Sequence, residues 1–170
     1  MFVSQNLLTS RFKNTGVSLA KPSIELAKHF IEAFFEEKFK QMLVVAQRRA
    51  IGMGLANAQG FLPADEKKGY DANYFNLQSL SKEFQSYLKA NHFLLNVVLC
   101  DLNQNPLVSA EPVSDQKLLK EERLSGSSES ILGIPYYLED QKLYAINTYV
   151  PVIYNGKKMG YLIYVNNWTR

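Results

Sequence analysis

KLYAINTYVPVIYNGKKMGYLIYVNN, residues 142–167, decides how this chain folds. β-branched and aromatic residues fill both arms, and Asn155-Gly156 sits between them. Asn-Gly accepts the two positive φ angles of a two-residue turn, so the stretch reads as an antiparallel hairpin. Such a turn fixes the register. With Tyr154 opposite Lys157, an unbroken ladder places Val152 against Met159, Val150 against Tyr161, Thr148 against Ile163 and Ile146 against Val165. That face is nearly all apolar and is expected to pack on a helix. The other face carries Ala145, Asn147, Tyr149, Gly160, Leu162 and Tyr164. Its mixture of aromatic and amide groups is either solvated or lines a small pocket where a few polar groups orient a ligand. Two large aromatics on a bare face would be costly to leave wet.

Working outward, LLNVVLCDL (94–102) predicts a strand, DLNQNP a tight turn in which Asn103 and Asn105 take positive φ, and PLVSA a second strand. DQKLLKEERL (115–124) predicts a short helix, SGSSES a loop, and ILGIPYYLE (131–139) one further strand. Upstream, SIELAKHFIEAFFEEKFKQMLVVAQRRA (23–50) repeats apolar residues at Ile24, Ala27, Ile31, Phe34, Phe35, Met42, Val45 and Ala46. That period is helical, with Pro22-Ser23 as the start and Gly52 and Gly54 weakening the far end. A loop, GFLPADEKKGYDAN, leads to a second helix, YFNLQSLSKEFQSYLKA (74–90). Leu77, Leu80, Phe84 and Leu88 share its buried face, and Asp71 or Asn73 caps it. The expected architecture is α+β: a long N-terminal helix packed on an antiparallel sheet of about five strands. Residues 1–170 read as one domain, with 1–58 as a helical spine and 92–170 as the sheet region.

Composition narrows the function. Of 170 residues 46% are hydrophobic, enough for a substantial core, and the net charge of +3 is spread along the chain. No basic stripe or binding motif points to nucleic acid. One cysteine excludes an internal disulfide, and Cys100 in its apolar run reads as a small buried hydrophobe. Two histidines, His29 and His92, stand far apart, so no zinc spacing exists and no cofactor is expected. No stretch is long and apolar enough to span a bilayer, and the first residues lack the pattern of a signal peptide. Trp168 and Arg170 follow an apolar strand directly, as in a piece excised from a membrane protein.

Three stretches carry a resemblance. FKNTGVSLAKPSIELAKHF resembles the membrane-proximal start of the spine helix of Cache domains, which are extracytoplasmic sensors related to the PAS fold. LLNVVLCDLNQNPLVSA resembles their first two strands with an Asp-containing turn. NTYVPVIYNGKKMGYLIYVNN resembles their closing hairpin. The resemblance covers nearly the whole chain, at the length of the single-module type. It implies a pocket on a PAS-like sheet for a small organic acid, amino acid or amine. It also implies a periplasmic location, anchorage in the inner membrane by flanking helices, and a signalling output beyond. The Arg-Tyr-Asp amino-acid pattern of some tandem members is not found. Candidate ligand-binding residues are Asn147, Tyr149 and Tyr164 from the mixed face, Tyr137 from the neighbouring strand, and Arg123, whose guanidinium suits a carboxylate.

Two other readings compete. Arg49-Ala50-Ile51-Gly52-Met53-Gly54 matches the R-x-x-G-x-G loop with which GNAT-type acetyltransferases hold coenzyme A. That loop needs a preceding strand and a following helix, whereas here helix pattern precedes it. A cytosolic PAS-like dimerisation module would use Phe30, Phe34 and Phe35 as a homodimer seam. No nucleophile elbow or P-loop is present, and the carboxylates of Glu36, Glu37, Glu121 and Glu122 lie in charged runs. The expectation is a sensor and not an enzyme.

Overall fold

The computed structural model describes residues 25–26, 28–68, 77–113, 121, 124 and 129–169. The expected helix start at Pro22-Ser23, the cap at Asp71 or Asn73, Arg123, and most of the expected 115–124 helix and following loop lie outside these residues. The chain divides into two compact units, Met1–Lys40 and Gln41–Arg170.

The first unit contributes helix, and α1 as a whole covers residues 28–46. Exposed ion pairs at helical spacing, Lys28–Glu32 at 3.6 Å and Glu36–Lys40 at 3.4 Å, line it; each adds at most a few tenths of a kcal/mol, roughly. The long helix expected from the sequence breaks at Gln47-Arg48. Arg48 is extended, with φ −60° and ψ 127°, and α2 (Arg49–Ala58) starts anew. The two glycines expected to weaken the helix end lie inside α2. Its residues Ile51 to Ala56 are all buried, and a Cβ on Gly52 would stand 2.9 Å from Cδ2 of Tyr154. Gly52 is small so that α2 can lie close on the sheet. A five-residue helix, α3 (Ala64–Lys68), forms inside the expected loop, with Asp65 and Glu66 in its first turn. Glu66 accepts hydrogen bonds from the Tyr154 hydroxyl and the Asn155 amide, tying α3 to the hairpin turn. The α4 helix (Leu77–Ala90) buries Leu80 and Phe84, as its period requires. Arg48 pairs with Glu83 of α4, which holds the break between α1 and α2 in place.

Six strands form one sheet: β1 (Leu94–Cys100), β2 (Pro106–Ser109), β3 (Ile131–Leu132), β4 (Tyr136–Leu138), β5 (Leu143–Tyr154) and β6 (Lys157–Asn167). The order is β2-β1-β6-β5-β3, with β4 also paired to β5, and every pairing is antiparallel. The fold is thus α+β with a PAS-like antiparallel sheet, as expected. In the β1–β2 turn, Gln104 takes the positive φ of 62°, not Asn103 or Asn105. The side chain of Asp101 accepts the amides of Asn103 and Asn105, which holds both at their places in the loop.

The hairpin turn is the one expected. Asn155 and Gly156 have φ of 48° and 73°, and Tyr154 pairs with Lys157. Two residues along, the ladder shifts: Ile153 pairs with Lys158 but Val152 with Gly160, so Met159 is an extra residue in β6. A bulge of this kind turns every later side chain of its strand to the other face. Leu162 and Tyr164 therefore join Val150 and Val152 in the core shared with α2 and α4. Tyr161 and Ile163 join Tyr149, Val98 and Cys100 in a second core on the opposite face, and Val165 joins Leu138 and Ala145 in a third. The expected single strand 131–139 is likewise interrupted. Ile131 pairs with Tyr149 but Tyr136 with Ala145, so one residue is extra between β3 and β4, at Gly133-Ile134-Pro135.

Candidate functional site

The sheet face turned away from α2 and α4 carries a row of polar side chains. Val165 in β6 pairs with Asn96 in β1 on one side and with Asn147 in β5 on the other. Asn147 is almost fully buried, and the Tyr136 hydroxyl donates to its Oδ1 at 2.8 Å. Its own amide donates to the Tyr149 hydroxyl at 3.2 Å. A carboxamide with one acceptor and one donor end suits this position between two phenols. Gly133 covers the group closely: its N–H donates to the Asn147 carbonyl at 2.8 Å, and a Cβ there would stand 3.2 Å from the Tyr149 ring.

Beside this network is a cavity of about 330 Å³. Leu95, Pro112, Leu138 and Val165 form its apolar walls, and Asn96, Glu111 and Gln141 supply its polar groups. Asn96 is itself committed. Its Nδ2 donates to the Glu111 carbonyl at 3.0 Å, while its Oδ1 accepts from the N–H groups of Glu111 at 3.0 Å and Val97 at 2.8 Å. It fixes the backbone of Glu111 at the cavity. Gln141 is an exposed residue of the β4–β5 turn, so the cavity opens toward that turn.

The fold and this face now permit comparison. The sensor domain of the V. cholerae histidine kinase DctB superposes with a TM-score of 0.62 at 11% identity, over 90% of this chain and 56% of that one. The extracellular domain of a candidate histidine kinase, mmHK1S-Z2, superposes with a TM-score of 0.51 at 14% identity, over 87% and 60%. This chain has the fold of a histidine-kinase sensor domain. It spans little more than half the length of those two domains. No protein-family profile matches it, and no curated protein does. The fold implied by the resemblance to Cache domains is the fold found.

Within this sensor fold the expected site residues separate. Asn147 and Tyr149 share the face away from the helices and touch, as expected. Tyr164 is on the other face, carried there by the Met159 bulge; its ring packs edge-on against Tyr87 of α4, with centroids 6.1 Å apart. Its hydroxyl is buried and has no hydrogen-bond partner among the described residues. Tyr137 is half exposed and packs on Tyr144, while its neighbour Tyr136 takes the inward place. Arg123 lies outside the described residues. The cavity residues Asn96, Glu111 and Gln141 were not foreseen; Asn96, a lone amide in an apolar strand, was the available signal. The R-x-x-G-x-G stretch is helix. The Gly52 amide donates to the Arg48 carbonyl at 3.3 Å, so in this fold it is spent within the chain and not turned to a phosphate.

Burial pushes the Tyr136 hydroxyl up to about 12, with Tyr149 adding to the rise and the Asn147 hydrogen bond opposing it. Burial also raises Tyr164, and Tyr87 adds to that rise. Both phenols hold their proton more tightly in the folded chain than in the unfolded one. Their contribution is complete below pH about 10 and declines as pH rises above it, for Tyr136 through about 12. Denaturant titrations from pH 9 to 12 are expected to show stability falling, with a shallower fall in Tyr136→Phe. An unchanged slope in that variant would contradict the placement of Tyr136.

Proposed function

We propose that this chain is a ligand-binding sensor domain on the extracytoplasmic side of a bacterial membrane receptor, and not an enzyme. The observation that supports it best is the cavity in the sheet face away from the helices. A small cavity that sets a few convergent polar groups beside apolar walls is a form that ligand sites take. Asn147 and Tyr149 adjoin it through Val165 and brace its wall, with Tyr136 beside them. Tyr137 is assigned to its approaches, and Tyr164 to the helix-packed side that would register a change in the sheet. Homodimerisation uses the first helix, where Phe30, Ile31 and Phe34 are exposed within about 100° of the helix circumference. The ligand is a small organic acid, amino acid or amine, and the receptor is anchored in the inner membrane. No helix among the described residues is itself long and apolar enough to cross a membrane.

A thermal-shift panel of small acids, amino acids and amines tests this reading. A ligand that binds only the folded chain stabilises it by about 2.7 kcal/mol at a hundredfold excess over its dissociation constant. At least one class is expected to raise the midpoint. The shift is expected to vanish in Gln141→Trp, which fills the mouth of the cavity from an exposed turn, and to persist in Tyr164→Phe. The reverse pattern would move the site to the helix side. A panel with no shift at all would remove the support for a ligand.

A further inference from the structure

We infer that the ligand is a cation, a small primary amine with a short apolar chain, held by Glu111. This rests on the reading of the cavity as the ligand site and narrows it to one charge class. The argument is one of elimination among the polar groups at the cavity. Asn96 has its amide tied to the Glu111 backbone, with Oδ1 accepting two N–H groups and Nδ2 donating to a carbonyl. It is a positioning residue and has little left to offer a ligand. Among the described lining residues, the polar side chains that remain are those of Glu111 and Gln141.

No Lys, Arg or His lines the cavity among the described residues. The Glu111 carboxylate forms no ion pair among them either. A dicarboxylate or fatty acid entering here would bring its charge toward Glu111, and none of the described lining residues is a cation that would offset it. An ammonium group meets the opposite situation: it donates charge-assisted hydrogen bonds to Glu111, and its chain lies on Leu95, Leu138 and Val165. A zwitterionic amino acid gains the same bond but leaves its own carboxylate with Gln141 alone. The volume of about 330 Å³ is at the small end for ligand sites. The order expected is therefore amine, then amino acid, then carboxylate.

Three probes of equal chain length separate the possibilities: butylamine, the neutral butyramide and butyrate. Binding to the full 170-residue chain is read by calorimetry. Butylamine is expected to bind saturably, more weakly as salt is raised. Butyramide and butyrate are expected to bind at least tenfold more weakly. Glu111→Gln is expected to weaken butylamine at least tenfold while leaving the ligand-free melting midpoint unchanged, since Glu111 is exposed. Butyrate binding more tightly than butylamine, and surviving Glu111→Gln, overturns the inference. If that butyrate binding is lost in Gln141→Trp, the cavity remains the ligand site and only the charge class is wrong. Butylamine binding that survives both Glu111→Gln and Gln141→Trp overturns the inference and the cavity reading together. Absence of any butylamine binding overturns the inference, and the wider panel then judges the cavity by itself.

Discussion

Gly160→Ala is expected to destabilise the chain by about 3 kcal/mol, a fall of roughly 6–12 °C in the melting midpoint for a chain of this size. The methyl group would stand 2.2 Å from the Cys100 carbonyl oxygen and 3.2 Å from Cδ2 of Leu55. The oxygen is backbone in the middle of the sheet, where Cys100 pairs with Tyr161. It cannot withdraw without opening the β1–β6 ladder, and α2 closes the other side through Leu55. Gly156→Ala is the control. Nothing lies within 4 Å of a Cβ there, but φ is 73°, so only the left-handed conformation opposes the change. That penalty is about 1–2 kcal/mol. Chemical denaturation of both variants measures the difference. A Gly160→Ala midpoint within about 1 kcal/mol of the parent would mean that β1 and β6 are less closely joined than described.

Gly160 also marks the point where the sequence stopped being legible. The turn, the antiparallel pairing and the inward and outward faces of β5 all follow from Asn155-Gly156 and the alternation before it. They follow because β5 is regular from Leu143 to Val152. The faces of β6 do not follow, since Met159 is one residue too many, and parity inverts beyond it. The same event recurs on the neighbouring strand. Without an extra residue at Gly133-Ile134-Pro135, Tyr137 would face the site with Ile131; with it, Tyr136 does. Two misplaced tyrosines thus share one cause. In each case a glycine inside a strand pattern was the visible sign, because glycine in a strand often marks a bulge or a close backbone approach. The break at Gln47-Arg48 had no such sign. Its residues favour helix, and the interruption is held by tertiary contacts, among them Arg48 with Glu83. Asn147 and Tyr149 were placed on one face because they lie on β5, before any bulge intervenes. The cavity residues were missed because Asn96, Glu111 and Gln141 come from three separate elements, and only the sheet order brings them together.

Asn147→Ala is expected to cost about 3 kcal/mol, and the way that cost divides tests the network rather than the residue. Removing the carboxamide takes the acceptor from the Tyr136 hydroxyl and a donor from the Tyr149 hydroxyl, and leaves a small void beneath Gly133. Each buried polar group deprived of its partner loses about 1–3 kcal/mol. Tyr136→Phe removes the first of these bonds, so it is expected to cost about 1 kcal/mol alone. The double variant is expected to fall short of the sum by at least about 0.5 kcal/mol, because the bond between the two side chains is counted in both single variants and lost once. Strict additivity would show that the two side chains do not act on each other. Asn147→Asp sharpens the point. It keeps an acceptor for Tyr136, removes the donor to Tyr149 and places a carboxylate where burial disfavours charge. Burial holds its proton more tightly in the folded chain than in the unfolded one, so its stability is fullest in acid and declines as pH rises. Denaturant curves at pH 4 and pH 7 are expected to show Asn147→Asp below Asn147→Ala at neutral pH and recovering against it in acid. A position open to water would show no such crossover, and Asn147 would then belong to the wet surface of the sheet and not to its buried network.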